Sequence, residues 1–344
     1  MTPLKALLGI DLPIIQAPMA GVQGPAMTVA VSNAGGLGSL PCAMLTPDVL
    51  KRELCAIRAR TDKPFNVNFF CHTLPPPNAE REERWHDALA PYYAEFGIDP
   101  TTIPAAPGRQ PFTAEAADVL AEFKPPVVRF HFGLPSAELV ARVRSWGAKI
   151  LASATTVDEA RWLEAHGVDA IIAQGLEAGG HRGIFLSSDL TTQVGTFALL
   201  PQIVRAVNVP VIAAGGIADA RGVQAALSLG AVAVQVGTAY LLCPEATTSG
   251  PHRAALKSET SRQTALINLF TGRPARGIVN RIMRELGSIS VAAPEFPLAT
   301  AAIAPLRTAA EKLGSGDFSP LWSGQNATGC KEISAADLTR ELAR

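Results

Sequence analysis

His181 stands directly after Gly179 and Gly180 in the run Ala173-Gln174-Gly175-Leu176-Glu177-Ala178-Gly179-Gly180-His181-Arg182-Gly183. An imidazole titrates near neutrality and serves as acid, base or anchor for an anion, and a loop that only glycines shape brings it close to a ligand. The apolar Ala170-Ile171-Ile172 precedes this run, so a buried strand is expected to feed the loop with Gln174 at its end. A tight turn carrying an exposed histidine is the plainer alternative. Two more glycine turns, Ala214-Gly215-Gly216 and Gln235-Val236-Gly237-Thr238, also follow apolar runs. Their backbone N–H groups, with the helix N-termini beyond them, suit a phosphate. Asn68, Gln174 and Gln235 are amides at strand ends, matched to the donor and acceptor edges of a flat ring of the flavin type, though each alone also reads as an amide capping a strand. The six histidines show no HxxxH or HxH spacing with carboxylates, and no GxSxG elbow exists, so neither a metal site nor a serine triad is expected.

These residues need a scaffold that brings strand ends together. Apolar runs at about 12–19, 37–40, 64–70, 127–133, 149–153, 170–174, 209–214 and 231–236 alternate with helical patterns. Thr46-Pro47 opens one helix and Thr156 another, each by the capping preference of threonine. Nearly continuous apolar strands mean a parallel sheet covered by helices, and eight of them close a TIM (β/α)8 barrel whose site lies at the strands' C-terminal ends. An open doubly wound sheet is the runner-up, but GxGxxG is absent after the first strand. The rhythm breaks at about 72–112, read as a helical insertion over one barrel end, and again at 244–298, read as a smaller second domain inserted after the eighth strand. A final helix through Ile303, Leu306, Ala310 and Leu313 is expected to return to the barrel, and the tail Leu321-Trp322-Ser323-Gly324-Gln325 to line the site.

Composition narrows the function. The 344 residues are 48% hydrophobic and 17% charged, enough for a large core. Thirty basic residues balance thirty acidic ones, which speaks against nucleic acid or a membrane surface as partner. Five scattered cysteines without a CxxC pair fit free thiols, and no signal-like or membrane-spanning run is visible. A cytoplasmic protein, monomer or homodimer, is expected.

In this order, Gln16-Ala17-Pro18-Met19-Ala20-Gly21, Asn33-Ala34-Gly35-Gly36-Leu37-Gly38, Pro64-Phe65-Asn66-Val67-Asn68, the histidine loop, the two later glycine turns and the terminal Leu321–Gln325 stretch resemble the nitronate monooxygenase family over nearly the whole chain. The insertion and the Leu-Trp-Ser-Gly-Gln tail are similar to its class I branch. The resemblance implies FMN as cofactor, oxidation of alkyl nitronates (propionate 3-nitronate especially) by O2 through single-electron transfer to flavin, and a carbonyl product with nitrite or nitrate. It implies His181 as the catalytic residue. For FMN it implies Met19, Asn68, Gln174, Gly179, Gly216, Gln235, Val236, Gly237 and Thr238, and the adjoining Ala17, Pro18, Gly180, Ala214, Gly215, Trp322, Gly324 and Gln325 are expected to bind the cofactor with them. On this reading 1–243 and 299–344 form the FMN-binding barrel and 244–298 a substrate-side cap. Class I members offer tyrosine and lysine to the substrate from that cap, where this chain has Pro297-Leu298-Ala299 and Arg307. A flavin-dependent enoyl-acyl-carrier-protein reductase or NADH:quinone reductase of the same fold is the alternative.

Overall fold

Residues 3–76, 78–103 and 108–344 are described in the computed structural model; Pro77 and residues 104–107, part of the expected 72–112 excursion, lie outside them. The strands are β1 (Ile14–Gln16), β2 (Gly38–Pro41), β3 (Phe65–Phe70), β4 (Val127–His131), β5 (Lys149–Ala154), β6 (Ala170–Gln174), β7 (Gly180–His181), β8 (Val211–Ala214), β9 (Ala233–Val236), β10 (Thr264–Ile267) and β11 (Ala275–Ile278). Eight of them pair in parallel in the order β1-β9-β8-β6-β5-β4-β3-β2, and a bridge between Ile15 and Leu37 joins the two ends. The result is the TIM barrel that the alternation of apolar strands and helices predicts. The helices are α1 (Pro3–Leu8), α2 (Pro25–Asn33), α3 (Pro47–Arg58), α4 (Ala79–Phe96), α5 (Ala114–Phe123), α6 (Ala137–Arg144), α7 (Val157–Ala165), α8 (Thr196–Ala206), α9 (Ala220–Ser228), α10 (Gly250–Leu256), α11 (Arg281–Leu286), α12 (Ala299–Lys312) and α13 (Ala335–Leu342). Thr46 and Thr156 cap α3 and α7 through their hydroxyls.

Strand alternation decides what the barrel can do. Ile14, Val67, Val128, Phe130, Ile171, Ala173 and Val234 face outward into the helix layer, in one cluster with Leu54, Leu163 and Leu200. Their neighbours Ile15, Val127, Leu151, Ile172, Ile212 and Ala233 face inward, where Leu4, Leu8 and Ile10 plug the N-terminal end. By the two-residue period, the inward positions one step further along carry Asn68, Arg129, Ser153, Gln174 and Gln235. The interior is therefore apolar at its base and polar at its C-terminal rim.

The rest of the chain builds a second layer over that rim. Trp85, Leu89, Tyr92 and Tyr93 of α4 share a core with Ile267, Phe270, Ile282, Ile303, Leu306 and Phe318. The insertion and the 264–318 region thus bury one another, with the Trp85 indole N–H and the Tyr93 hydroxyl donating to Ala299 and Ala302 carbonyls. Sequence periodicity alone assigns α12 to the barrel; its apolar stripe instead packs on α4, and α13 is the helix that returns, meeting α2 and α9. The cap region accordingly reaches past residue 298, and α4 belongs to its core. All five cysteines are free. Among the described residues no helix is long and apolar enough to cross a membrane, and no side-chain cluster has the makings of a metal site.

Candidate active site

The histidine loop is shaped by charge buried beneath it. Arg182 has no exposed surface, and its guanidinium donates to Gln174 O and Gly175 O at 2.8 Å and to Gln193 Oε1 at 3.1 Å. Arg276 donates from Nε to Leu176 O at 2.8 Å. Glu177, which shares the loop with His181, turns away to accept from the Thr196 amide and hydroxyl at the start of α8. Gly179 passes so close to the tail that an added Cβ would sit 2.5 Å from Gly324 N. Gly180 has φ +70°, a left-handed conformation that glycine adopts without strain. The loop ends in β7, which pairs with β11 so that His181 lies opposite Ala275.

Gln174 also serves this loop. Its amide donates to His181 O at 3.0 Å and accepts from Gly183 N at 2.7 Å. It lines the cleft, but its polar atoms position the loop.

Above the rim lies a cleft, partly open to solvent. The structure brings to it nearly all the residues that the sequence singles out: Ala17, Pro18, Met19, Asn68, Gln174, Gly179, Gly180, His181, Ala214, Gly215, Gly216, Gln235, Val236, Gly237, Thr238, Trp322 and Gly324. Gln325 is exposed and stays outside the lining, its backbone N–H donating to Glu177 O, and Asn326 takes the place beside the cleft. The lining also holds Phe70, Arg109, Arg129, His131 and His252, which sequence reasoning missed. Phe70 and His131 follow Asn68 and Arg129 by two residues, so the strand period was the signal that could have found them. Arg109 and His252 come from the cap side, where no periodic pattern marks them.

A fit to a flavin is testable on the rim itself. Asn68 Oδ1, Gln235 Oε1 and Arg129 Nε are buried and have no protein partner. Buried polar atoms are nearly always satisfied, so the two amides suit the heteroatoms of a flat ring, and Arg129 brings a positive charge beside them. Gly215 and Gly216 adopt φ of +121° and +72° at the end of β8, and Gly237 follows β9. The glycine turns, not a helix end, would meet a phosphate after β8, because Asp219 already caps α9.

His181 sits in an aromatic box, with ring centroids of Phe296 at 5.4 Å, Trp322 at 5.6 Å, Phe70 at 5.9 Å and Phe132 at 6.0 Å. Phe132 holds the left-handed φ of +70° that bulky residues avoid, and its ring carries the Arg273 guanidinium at 3.9 Å. Desolvation, reinforced by Arg109, Arg273 and His72, holds the His181 imidazole well below its ordinary pKa, so it is neutral at pH 7. Its Nε2 lies 2.9 Å from Thr271 Oγ1. His131 donates from Nε2 to His181 O at 3.3 Å, since a carbonyl can only accept. Among the described residues no carboxylate lines the cleft, while Arg109 and Arg129, lowered by burial to about 10 and about 9, remain cationic. The arginines of 273–284 form no single basic face. Arg273 and Arg276 are drawn inward, and Arg281 pairs with Glu95 at 2.7 Å.

This histidine cluster predicts acid sensitivity. Burial lowers His72 and His252 from 6.5 to about 4, and His131 also lies well below 6.5. The unfolded chain takes up these protons near pH 6.5 and the native chain does not, so unfolding binds protons as pH drops. Stability is expected to fall from pH 6.5 toward pH 4, by about 1.4 kcal/mol per pH unit for each histidine. Urea midpoints above and below pH 6.5 check this, and equal midpoints would contradict it.

Barrel, rim cleft and histidine loop together define a TIM-barrel enzyme with its site at the C-terminal face. The family model for nitronate monooxygenase matches residues 1–344. A nitronate monooxygenase of Pseudomonas aeruginosa is 42% identical, the match covering 98% of this chain and 96% of that one. One of Paraburkholderia phytofirmans is 44% identical over 99% and 94%. A solved nitroalkane oxidase from Streptomyces ansochromogenes is 40% identical, with a TM-score of 0.89 over 99% of this chain and 97% of that one. The chain belongs to the nitronate monooxygenase family.

Proposed function

We propose that this enzyme binds FMN in the rim cleft and oxidises alkyl nitronates with O2, propionate 3-nitronate among them, to a carbonyl compound with release of nitrite or nitrate. The observation that carries this reading is a cleft with two arginines, a neutral histidine and no lining carboxylate among the described residues. Such a site favours an anion and leaves its histidine free to handle a proton. The residues that would hold FMN are Asn68 and Gln235 at the ring, with Ala17, Pro18 and Met19 beside them, and the turns Ala214–Gly216 and Val236–Thr238 at the phosphate. Gly179, Gly180, Trp322 and Gly324 close the cleft. FMN would supply a one-electron acceptor for the electron-rich nitronate.

The protein's own part centres on His181. The Thr271 hydroxyl both donates and accepts, so the neutral imidazole can carry its proton on either nitrogen. With Nδ1 bare, the ring removes the α-proton of a nitroalkane. With the proton on Nδ1, it donates to a nitronate oxygen. The four surrounding rings shield the imidazole from part of the solvent and strengthen either interaction. Arg109 donates to Thr300 Oγ1 at 3.2 Å and pairs with no acid among the described residues. Its free donors supply a site for a second anionic group, such as the carboxylate of propionate 3-nitronate. This arginine does the work that the family's cap tyrosine and lysine do elsewhere.

Anaerobic mixing tests this. Propionate 3-nitronate should bleach the flavin absorbance of the FMN-loaded enzyme, and NADH should not. A nitronate without a carboxylate should bind more weakly by about tenfold, and Arg109→Met should erase that difference. Bleaching by NADH alone would favour the reductase, and a protein that gains neither colour nor activity with FMN would refute both readings.

A further inference from the structure

Arg129 is the one charged residue at the C-terminal rim of the inward face of the eight barrel strands; Lys149 shares that face but opens β5 at the opposite end, paired with Asp169. It lies beside Asn68 in the β3–β4 register and opposite Leu151 of β5, is 4% exposed, and lines the cleft. Among the described residues its partners are neutral. Nη2 donates to Ser153 Oγ at 2.7 Å and approaches His131 Nδ1 at 3.4 Å, and Nε has none. Among the described residues it makes no ion pair.

A guanidinium enclosed without a counter-charge is costly, and proteins normally compensate it with an acid. Here the compensation must come from what the cleft binds. The phosphate turns follow β8 and β9, and the barrel order separates them from β4 by β6 and β5 on one side and by β1, β2 and β3 on the other. A cofactor phosphate therefore does not meet this arginine. His181, Arg109 and the aromatic box stand on the cap side of the cleft, whereas Arg129 forms the barrel floor beside Asn68. The floor is the side on which a ring held by Asn68 and Gln235 would rest.

We propose that Arg129 is an electrostatic tuning residue for the bound flavin, a fixed positive charge that stabilises the ring once it has gained an electron. The oxidised ring is neutral and the reduced ring can be anionic, so the charge acts on the difference between the two states. This rests on the reading of the cleft as an FMN site, and the experiment separates the two failures.

Wild type, Arg129→Met, Arg129→Gln and Arg129→Lys are loaded with FMN, and the FMN dissociation constant and the reduction potential are measured without substrate. FMN affinity should change less than about threefold. The reduction equilibrium of Arg129→Met should shift at least tenfold toward oxidised flavin, which is ~59 mV lower for a one-electron couple. Arg129→Lys, which keeps the charge, should stay closer to wild type than either neutral variant. Arg129→Gln can still bond Ser153 and serves if the methionine variant does not fold. An unchanged potential in a loaded neutral variant overturns the proposal. Loss of FMN from a folded variant overturns it too, by making Arg129 a holder of the cofactor. So does an unshifted potential with a raised nitronate KM, which would make it a substrate residue. Wild-type protein that binds no FMN fails the cofactor reading instead.

Discussion

His181→Asn is expected to keep FMN bound while turnover falls by about 10²–10⁴-fold, the range typical for loss of a positioned acid–base group. The residue's structural duties are carried by its backbone: His181 O accepts from Gln174 and His131, and β7 pairs with β11. Asparagine preserves all of these and removes the imidazole with its contacts to Thr271 and the four rings, so a loss of turnover with FMN still bound reports on chemistry and not on folding. Measuring kcat/KM with a neutral nitroalkane beside the FMN dissociation constant separates the two. Because burial and the nearby arginines hold the wild-type imidazole well below 6.5, its acidic limb with that substrate should fall below pH 6.5. Turnover within threefold of wild type (about 0.6 kcal/mol) would remove His181 from the reaction.

Arg182→Leu is expected to destabilise the fold by about 3 kcal/mol and to disorder the histidine loop. Three buried acceptors, Gln174 O, Gly175 O and Gln193 Oε1, lose their donors. Each unsatisfied buried acceptor costs about 1–3 kcal/mol, and relief of the enclosed charge offsets part of the sum. The same substitution frees the end of β6, so turnover should fall along with the urea midpoint. A midpoint unchanged within error would show that the loop holds its shape without this brace. Arg182→Lys, which keeps the charge but loses the fork, should lie between the two.

The barrel was legible because its strands are nearly continuous apolar runs punctuated by glycine, a pattern that local chemistry alone sets. Much of the site followed from it, since residues at strand ends must converge once the barrel closes. Gln325 was misplaced because adjacent loop residues point opposite ways without any period to tell them apart. Arg129 and His131 were overlooked although they break an otherwise apolar strand, Val127–His131. A polar residue inside such a strand is itself a signal of a lined cavity. The pairing of α4 with α12 was not legible: an apolar stripe says that a helix is covered, and nothing in it names the partner. Arg109 was hidden for a related reason, since its place over the cleft depends on how the second layer folds back.

The short β7–β11 ladder bears on how freely this architecture can be rebuilt. The residue proposed for proton handling is carried by the barrel's chain but aligned by a strand from the region above it. Exchange of that upper region with a relative's would transplant the alignment of His181 along with substrate preference. A graft that preserves the cleft walls yet shifts β11 by one residue would turn that strand's own side chains to the opposite face and break the pairing that aligns His181. Substrate range and chemical competence are therefore not separable modules in this chain, and chimeras should preserve the pairing of His181 with Ala275 before any other contact.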